Sequence, residues 1–132
     1  MKSRAWVPVI IAFSPGVLLP LVQNVVRPRV HHPTALVLFL ASAPNLITGF
    51  CFPFSILVRP SAWTRRTADW LFAIWCAFTL SALVAVEYLS PFGLNYFDPN
   101  DIVASVAGVA LAIALYVSVL RGRLVFAQPN PN

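Results

Sequence analysis

The sequence predicts an all-α membrane protein: one domain over residues 1–132, built as a bundle of four transmembrane helices with both termini in the cytoplasm. Three observations carry that prediction. The chain is 59% hydrophobic and only 10% charged, against about 25% charged residues in a typical soluble domain, and its mean hydropathy is +0.80. Four apolar stretches, Ala5–Val26, Thr34–Val58, Thr67–Leu89 and Asp101–Leu120, match the ~20 residues that a helix needs to cross hydrocarbon. Barrel strands are about half as long and alternate in polarity, which these stretches do not. Finally, with four crossings, Lys2, Arg4, Arg59, Arg65, Arg66, Arg121 and Arg123 fall on one side, and Arg27 and Arg29 on the other. The positive-inside rule makes the first side cytoplasmic, and Trp6, Trp63 and Trp70 lie near that face as interfacial aromatics. The net charge of +5 then reads as a topology signal and an attraction to anionic lipid, not as nucleic-acid binding.

The first segment follows a basic start, as a signal peptide would. It is too long for one, carries Pro8, Pro15 and Pro20, and has no small-x-small cleavage site, so it reads as a retained helix. The second segment contains Pro44 and Pro53, each of which removes a backbone donor and bends the helix. Ser42, Asn45 and Gly49 follow at spacings of three and four and share a face. The amide of Asn45 is expected to make an interhelical hydrogen bond, worth about 0.6 kcal/mol in a membrane.

The third and fourth segments each carry a small-residue stripe, Ala73, Ala77, Ser81 and Ala85 on one and Ala104, Gly108 and Ala112 on the other. Such stripes let helix backbones approach closely. With only the short connection from Ser90 to Phe97 between them, the two helices are expected to pack as antiparallel neighbours. Cys51 and Cys76 fall within hydrocarbon and read as apolar fillers. The terminal "AQPNPN" reads as a disordered tail.

Polar chemistry is concentrated in "EYLSPFGLNYFDPNDIVASVAG", residues 87–108, which holds three of the four acidic side chains. Asp98-Pro99-Asn100-Asp101 has the form of a helix start, with Asp at the cap, Pro at the first helical position and a second acid near the free amides. Glu87 lies about one turn inside the outer end of its helix, where it cannot serve as that helix's cap. Acids in membrane helices are costly and usually face a protein interior, a partner charge or a wet cavity. Glu87, Asp98, Asp101 and Ser105 are therefore expected to form an outer-face polar cluster. Arg27 and Arg29 are its candidate charge partners, and Asn45 is an amide at the bilayer midplane. Adjacent His31 and His32 are expected to point apart, as neighbouring side chains do on most backbones, and the sequence offers no metal-ligand spacing, no Ser-His-Asp set and no phosphate-binding glycine loop, so neither a metal nor a cofactor is expected.

The same residues resemble the signature of the VanZ-like family of small bacterial membrane proteins. That signature places a Glu three residues before a Gln at a helix end, then an Arg, then Asp-x-x-Asp opening the next helix, then Asn-x-x-Gly. Glu87, Asp98, Asp101 and Gly108 stand in matching places, while Ser90, Asn95 and Ser105 replace the Gln, Arg and Asn. The second segment, "NLITGFCFPFSILV", is loosely similar to the family's Asn and Phe-x-Pro-x-Gly helix, with Ser55 where the last Gly would be. The resemblance covers the C-terminal half best. It implies a multi-helix envelope protein of the bacterial inner membrane, linked in its namesake to reduced susceptibility to a glycopeptide antibiotic, with no settled reaction.

The leading expectation is accordingly a VanZ-like, non-catalytic accessory protein whose polar cluster fixes helix packing or binds a partner or lipid headgroup. A structural subunit of a larger membrane complex is the alternative. A proton-handling enzyme or transporter using Glu87 and Asp101 is the third reading. The expected partners are the lipid bilayer and other membrane-protein chains.

Overall fold

The computed structural model describes residues 6–26, 35–89 and 98–128. These form an all-helical bundle with four helices long and apolar enough to span a membrane, Trp6–Val26, Phe39–Leu57, Arg65–Leu89 and Pro99–Leu120. There is no β-strand among the described residues; the only β-like pairing is an isolated bridge between Thr64 and Ala127.

Prolines shape the first two spans. Helix α1 (Trp6–Phe13) passes into α2 (Pro15–Leu21) through Ser14, and a π-helical turn follows over Val22–Val26. Pro15 has no N–H to give the carbonyl four residues back, that of Ile11. The Ser14 hydroxyl donates to this carbonyl instead, at 2.8 Å, so the break leaves no orphaned acceptor in an apolar setting. Helix α3 (Ala35–Cys51) accommodates Pro44 but gives way at its end to a 3-10 turn over Phe52–Leu57, with Pro53 as its second residue. The Ser14 Oγ and Cys51 Sγ atoms lie 3.3 Å apart and join the two spans where each departs from regular helix.

Helix α4 (Arg65–Leu89) has no internal proline and runs unbroken for 25 residues. Its start is two residues ahead of the predicted Thr67, because Thr64 caps it: the Thr64 Oγ1 accepts the Thr67 N–H at 3.3 Å. Helix α5 (Pro99–Leu115) is capped by Asp98 and runs on into a π-helical turn over Tyr116–Leu120.

The third and fourth spans are neighbours as expected, but they do not meet through their small-residue stripes. Helix α5 makes its most extensive contact with α3, not with α4. At the crossing, Gly49 faces Gly108. A Cβ on Gly49 would lie 2.8 Å from the Ser105 carbonyl oxygen; one on Gly108 would lie 2.9 Å from the Phe50 amide nitrogen and 3.1 Å from the Gly49 carbonyl carbon, and would meet the Leu46 carbonyl oxygen. All of these neighbours are backbone, so two glycines are what allow the helices this close. The stripe of Ala104, Gly108 and Ala112 is buried, with Gly108 against the α3 backbone and Ala112 in the core cluster that holds Phe54, Phe72 and Tyr116.

The matching stripe on α4 points away from the bundle: Ala73, Ala77 and Ser81 are exposed and Ala85 is half-buried. Helix α4 instead turns inward the edge formed by Ala68, Phe72, Cys76 and Thr79, all buried. The physical reason is aromatic. Phe72 stacks on Tyr116 with centroids 4.2 Å apart and meets Phe54 at 5.5 Å. Trp75 stacks against Phe52 at 5.9 Å and donates its indole N–H to the Ser55 Oγ at 2.8 Å. Aromatic pairs contribute about 0.5–1.5 kcal/mol each beyond their buried area, and rings of this size cannot fit a close backbone crossing. Cys51 and Cys76 are buried and unpaired with each other.

This arrangement predicts unequal responses to enlarging the two stripes. Gly108→Ala should lower stability by about 1–3 kcal/mol, because backbone must move apart, whereas Ala77→Leu should change it by less than about 0.5 kcal/mol. Unfolding of the detergent-purified protein by SDS titration measures both. An Ala77→Leu loss as large as that of Gly108→Ala would place the α4 stripe inside the bundle instead.

Candidate functional site

At the connection between α4 and α5, the acidic residues are arranged around the amides that open α5. The Glu87 carboxylate accepts the Asp98 backbone N–H at 3.0 Å. The Asp98 carboxylate accepts the Asn100 N–H at 2.9 Å, and the Asp101 N–H donates to the Asp98 carbonyl at 3.0 Å. Two carboxylates thus divide the work of a capping box, with the acceptor for the cap residue's own N–H supplied by the preceding helix. Glu87 is too far inside α4 to cap that helix, and it caps the next one.

Asp101 sits half-buried in the first turn of α5, where its charge complements the positive end of the helix. Its carboxylate makes no hydrogen bond among the described residues. Ser105 is buried, at 2% exposure, and its hydroxyl donates to the Asp101 carbonyl at 2.8 Å, along its own helix and not toward a carboxylate. Asn45 is half-buried and makes no side-chain hydrogen bond among the described residues; the interhelical bond expected of it does not form there. Ser42, on the same face of α3, is buried with its hydroxyl unpartnered among the described residues. It borders an apolar cavity of about 300 Å³ between α3 and α5, lined also by Phe39, Leu46, Val103 and Ala107. Arg27, Arg29, His31 and His32 lie outside the described residues, as do Ser90 and Asn95. Among the described residues, no three His, Cys, Asp or Glu side chains converge as a metal site would require.

A second polar constellation occupies the opposite end of α4, and sequence reasoning missed it. Asp69, the remaining acid, is gripped by Arg121: Nη2 lies 2.7 Å from Oδ2, while Nε lies 3.0 Å from Oδ1 and 3.2 Å from Oδ2. The Tyr116 hydroxyl donates to Asp69 Oδ1 at 2.8 Å, and Arg65 donates from Nη2 to the Arg121 carbonyl at 3.1 Å. The π-helical turn brings these groups to one place. Its Arg121 N–H reaches back five residues to the Tyr116 carbonyl at 2.8 Å, so that phenol and guanidinium converge on one carboxylate. The Asp69 hydrogen bonds, followed by its negative charge, hold the Arg121 guanidinium above its ordinary value, so it stays charged.

After Arg121 the chain folds back, and the Ala127 N–H donates to the Trp63 carbonyl at 2.9 Å. The returning segment walls an open groove of about 780 Å³ lined by Thr64, Arg65, Arg66, Asp69 and Arg121 together with residues 124–128. The sequence did contain a signal for this site. Asp69 is the one acid within a basic neighbourhood, one turn past Arg65 and Arg66, but its partner lies 52 residues away.

Tyr116→Phe keeps the ring stacked on Phe72 and removes one hydrogen bond to a charged group, so it should cost about 1.5–3 kcal/mol before solvent exposure of Asp69 reduces that figure. Asp69→Asn and Arg121→Gln should be strongly non-additive in a double-mutant cycle. Additive losses would show that the pair observed here does not hold the helix ends together in solution.

No family model, curated protein or solved structure matches this chain.

Proposed function

We propose that the chain is a multi-pass protein of the bacterial cytoplasmic membrane, with both termini in the cytoplasm, acting as a VanZ-like, non-catalytic accessory protein of the cell envelope. The observation that supports the non-catalytic reading is the use of the acidic cluster. Glu87 and Asp98 are spent on backbone amides, and Ser105 on a backbone carbonyl. A reactive carboxylate pair would need an oxygen of Glu87 presented beside Asp101, whereas here Glu87 receives the amide that starts the next helix. The cluster then acts by fixing helix packing at the α4–α5 connection, or by binding a partner or a lipid headgroup.

A second reading has its own observation in its favour. The outward face of α4 carries Ala73, Ala77 and Ser81 beside exposed Trp70, Ile74 and Phe78. Small residues flanked by large ones suit close approach by another membrane helix, as in a structural subunit of a larger complex.

Deletion and complementation in the source bacterium test the leading reading. Deletion should increase susceptibility to a glycopeptide antibiotic, and Glu87→Gln should restore the original level, because the amide keeps an oxygen acceptor for the Asp98 N–H. Glu87→Ala should lower stability by about 1 kcal/mol, the cost of a lost cap. No change in susceptibility on deletion would remove the VanZ-like role. A well-folded Glu87→Gln protein that fails to complement would favour proton handling by Glu87 and Asp101.

A further inference from the structure

We propose that the groove between the start of α4 and the returning C-terminal segment binds the phosphate headgroup of an anionic phospholipid. The inference depends on membrane insertion and not on the accessory role, so either can fail without the other.

Its lining carries three arginines, Arg65, Arg66 and Arg121, against one aspartate. Asp69 is matched by Arg121 through a bidentate ion pair, and the Tyr116 hydroxyl takes a further share of the same carboxylate. The charge of Asp69 is thus used within the protein, and Arg65 and Arg66 leave the groove with an excess of two positive charges. Arg65 is tethered by one Nη2 bond to the Arg121 carbonyl, which fixes its guanidinium near the groove without consuming its charge. Arg66 is exposed and makes no side-chain hydrogen bond among the described residues. Guanidinium groups present planar forks suited to phosphate oxygens.

Position selects a lipid over a soluble anion. Two candidate membrane spans end at the groove, one beginning at Arg65 and the other ending at Leu120. Exposed apolar groups adjoin it, with Val125 at 55% and Trp63 at 37% exposure, and Trp70 at 65% and Ile74 at 58% continue along α4. A phosphodiester held by Arg65 and Arg66 could therefore extend its acyl chains along α4 in the direction of the bilayer core. Basic pockets at the ends of membrane helices are suited to anionic headgroups for this reason. A volume of about 780 Å³ lies within the usual range of ligand pockets, about 300–1,000 Å³.

Native mass spectrometry of the detergent-purified full chain, titrated with phosphatidylglycerol or phosphatidylcholine, tests the proposal. Phosphatidylglycerol should remain bound at one equivalent and phosphatidylcholine should not. The double variant Arg65→Gln/Arg66→Gln should weaken phosphatidylglycerol binding about tenfold or more. Arg59→Gln/Arg123→Gln removes the same charge near the same end from outside the groove lining and should stay within about twofold. Arg66→Gln alone, which breaks no internal contact, should weaken binding about threefold or more and serves if the double variant does not fold. Equal weakening by both double variants would replace the groove with diffuse surface charge. Equal binding of phosphatidylcholine, or displacement of the lipid by millimolar glycerol phosphate, would overturn the assignment to an anionic phospholipid.

Discussion

The backbone crossing of α3 and α5 at Gly49 and Gly108 is the constraint on which the rest of the bundle depends. Between membrane helices, hydrocarbon offers no hydrophobic drive to associate, so close packing has to supply the attraction. Here it does so with main chain against main chain, the amide of Phe50 and the carbonyls of Leu46 and Ser105 lying where any side chain on the two glycines would go. That contact uses the small face of α5. Helix α4 is left to pack on the wider flank of the pair through Phe72, Cys76 and Thr79, and its own small residues face outward.

A helix that packs through bulky side chains is held less closely, and α4 is fastened to α5 at both ends. At one end Glu87 accepts the amide that opens α5; at the other Asp69 receives Tyr116 and Arg121 from the end of the same span. All three acids that make side-chain hydrogen bonds among the described residues, Asp69, Glu87 and Asp98, serve the ends of helices. The irregular turns follow the same economy: the Ser14 hydroxyl takes up a carbonyl that Pro15 leaves free, and the π-helical turn after α5 sets Tyr116 and Arg121 on one carboxylate.

The four long apolar helices were legible in the sequence because length and apolarity alone determine them, and the start of α5 was legible because Asp98-Pro99 states it locally. What escaped were relations between segments. Spacing shows that Ala73, Ala77 and Ser81 share a face, but it does not show which neighbour that face meets, and the choice went to the deeper notch at Gly49. Glu87 belongs to one helix, and the amide it accepts begins the next. No local pattern connects Asp69 with Tyr116 and Arg121. That connection needs the fold, and within the fold it needs one turn wound with an extra residue.

Cysteine pairing in native membranes tests the central crossing most directly. In a chain with Cys51 and Cys76 replaced by alanine, Leu46→Cys with Ala107→Cys places thiols on α3 and α5 around a shared cavity. Ala77→Cys with Ala112→Cys places them on the two small stripes of α4 and α5. Oxidation should close the first pair to a disulfide and leave the second open. A disulfide that forms readily in the second pair and not in the first would contradict the crossing at Gly49 and Gly108, and with it the arrangement of both ends of α4.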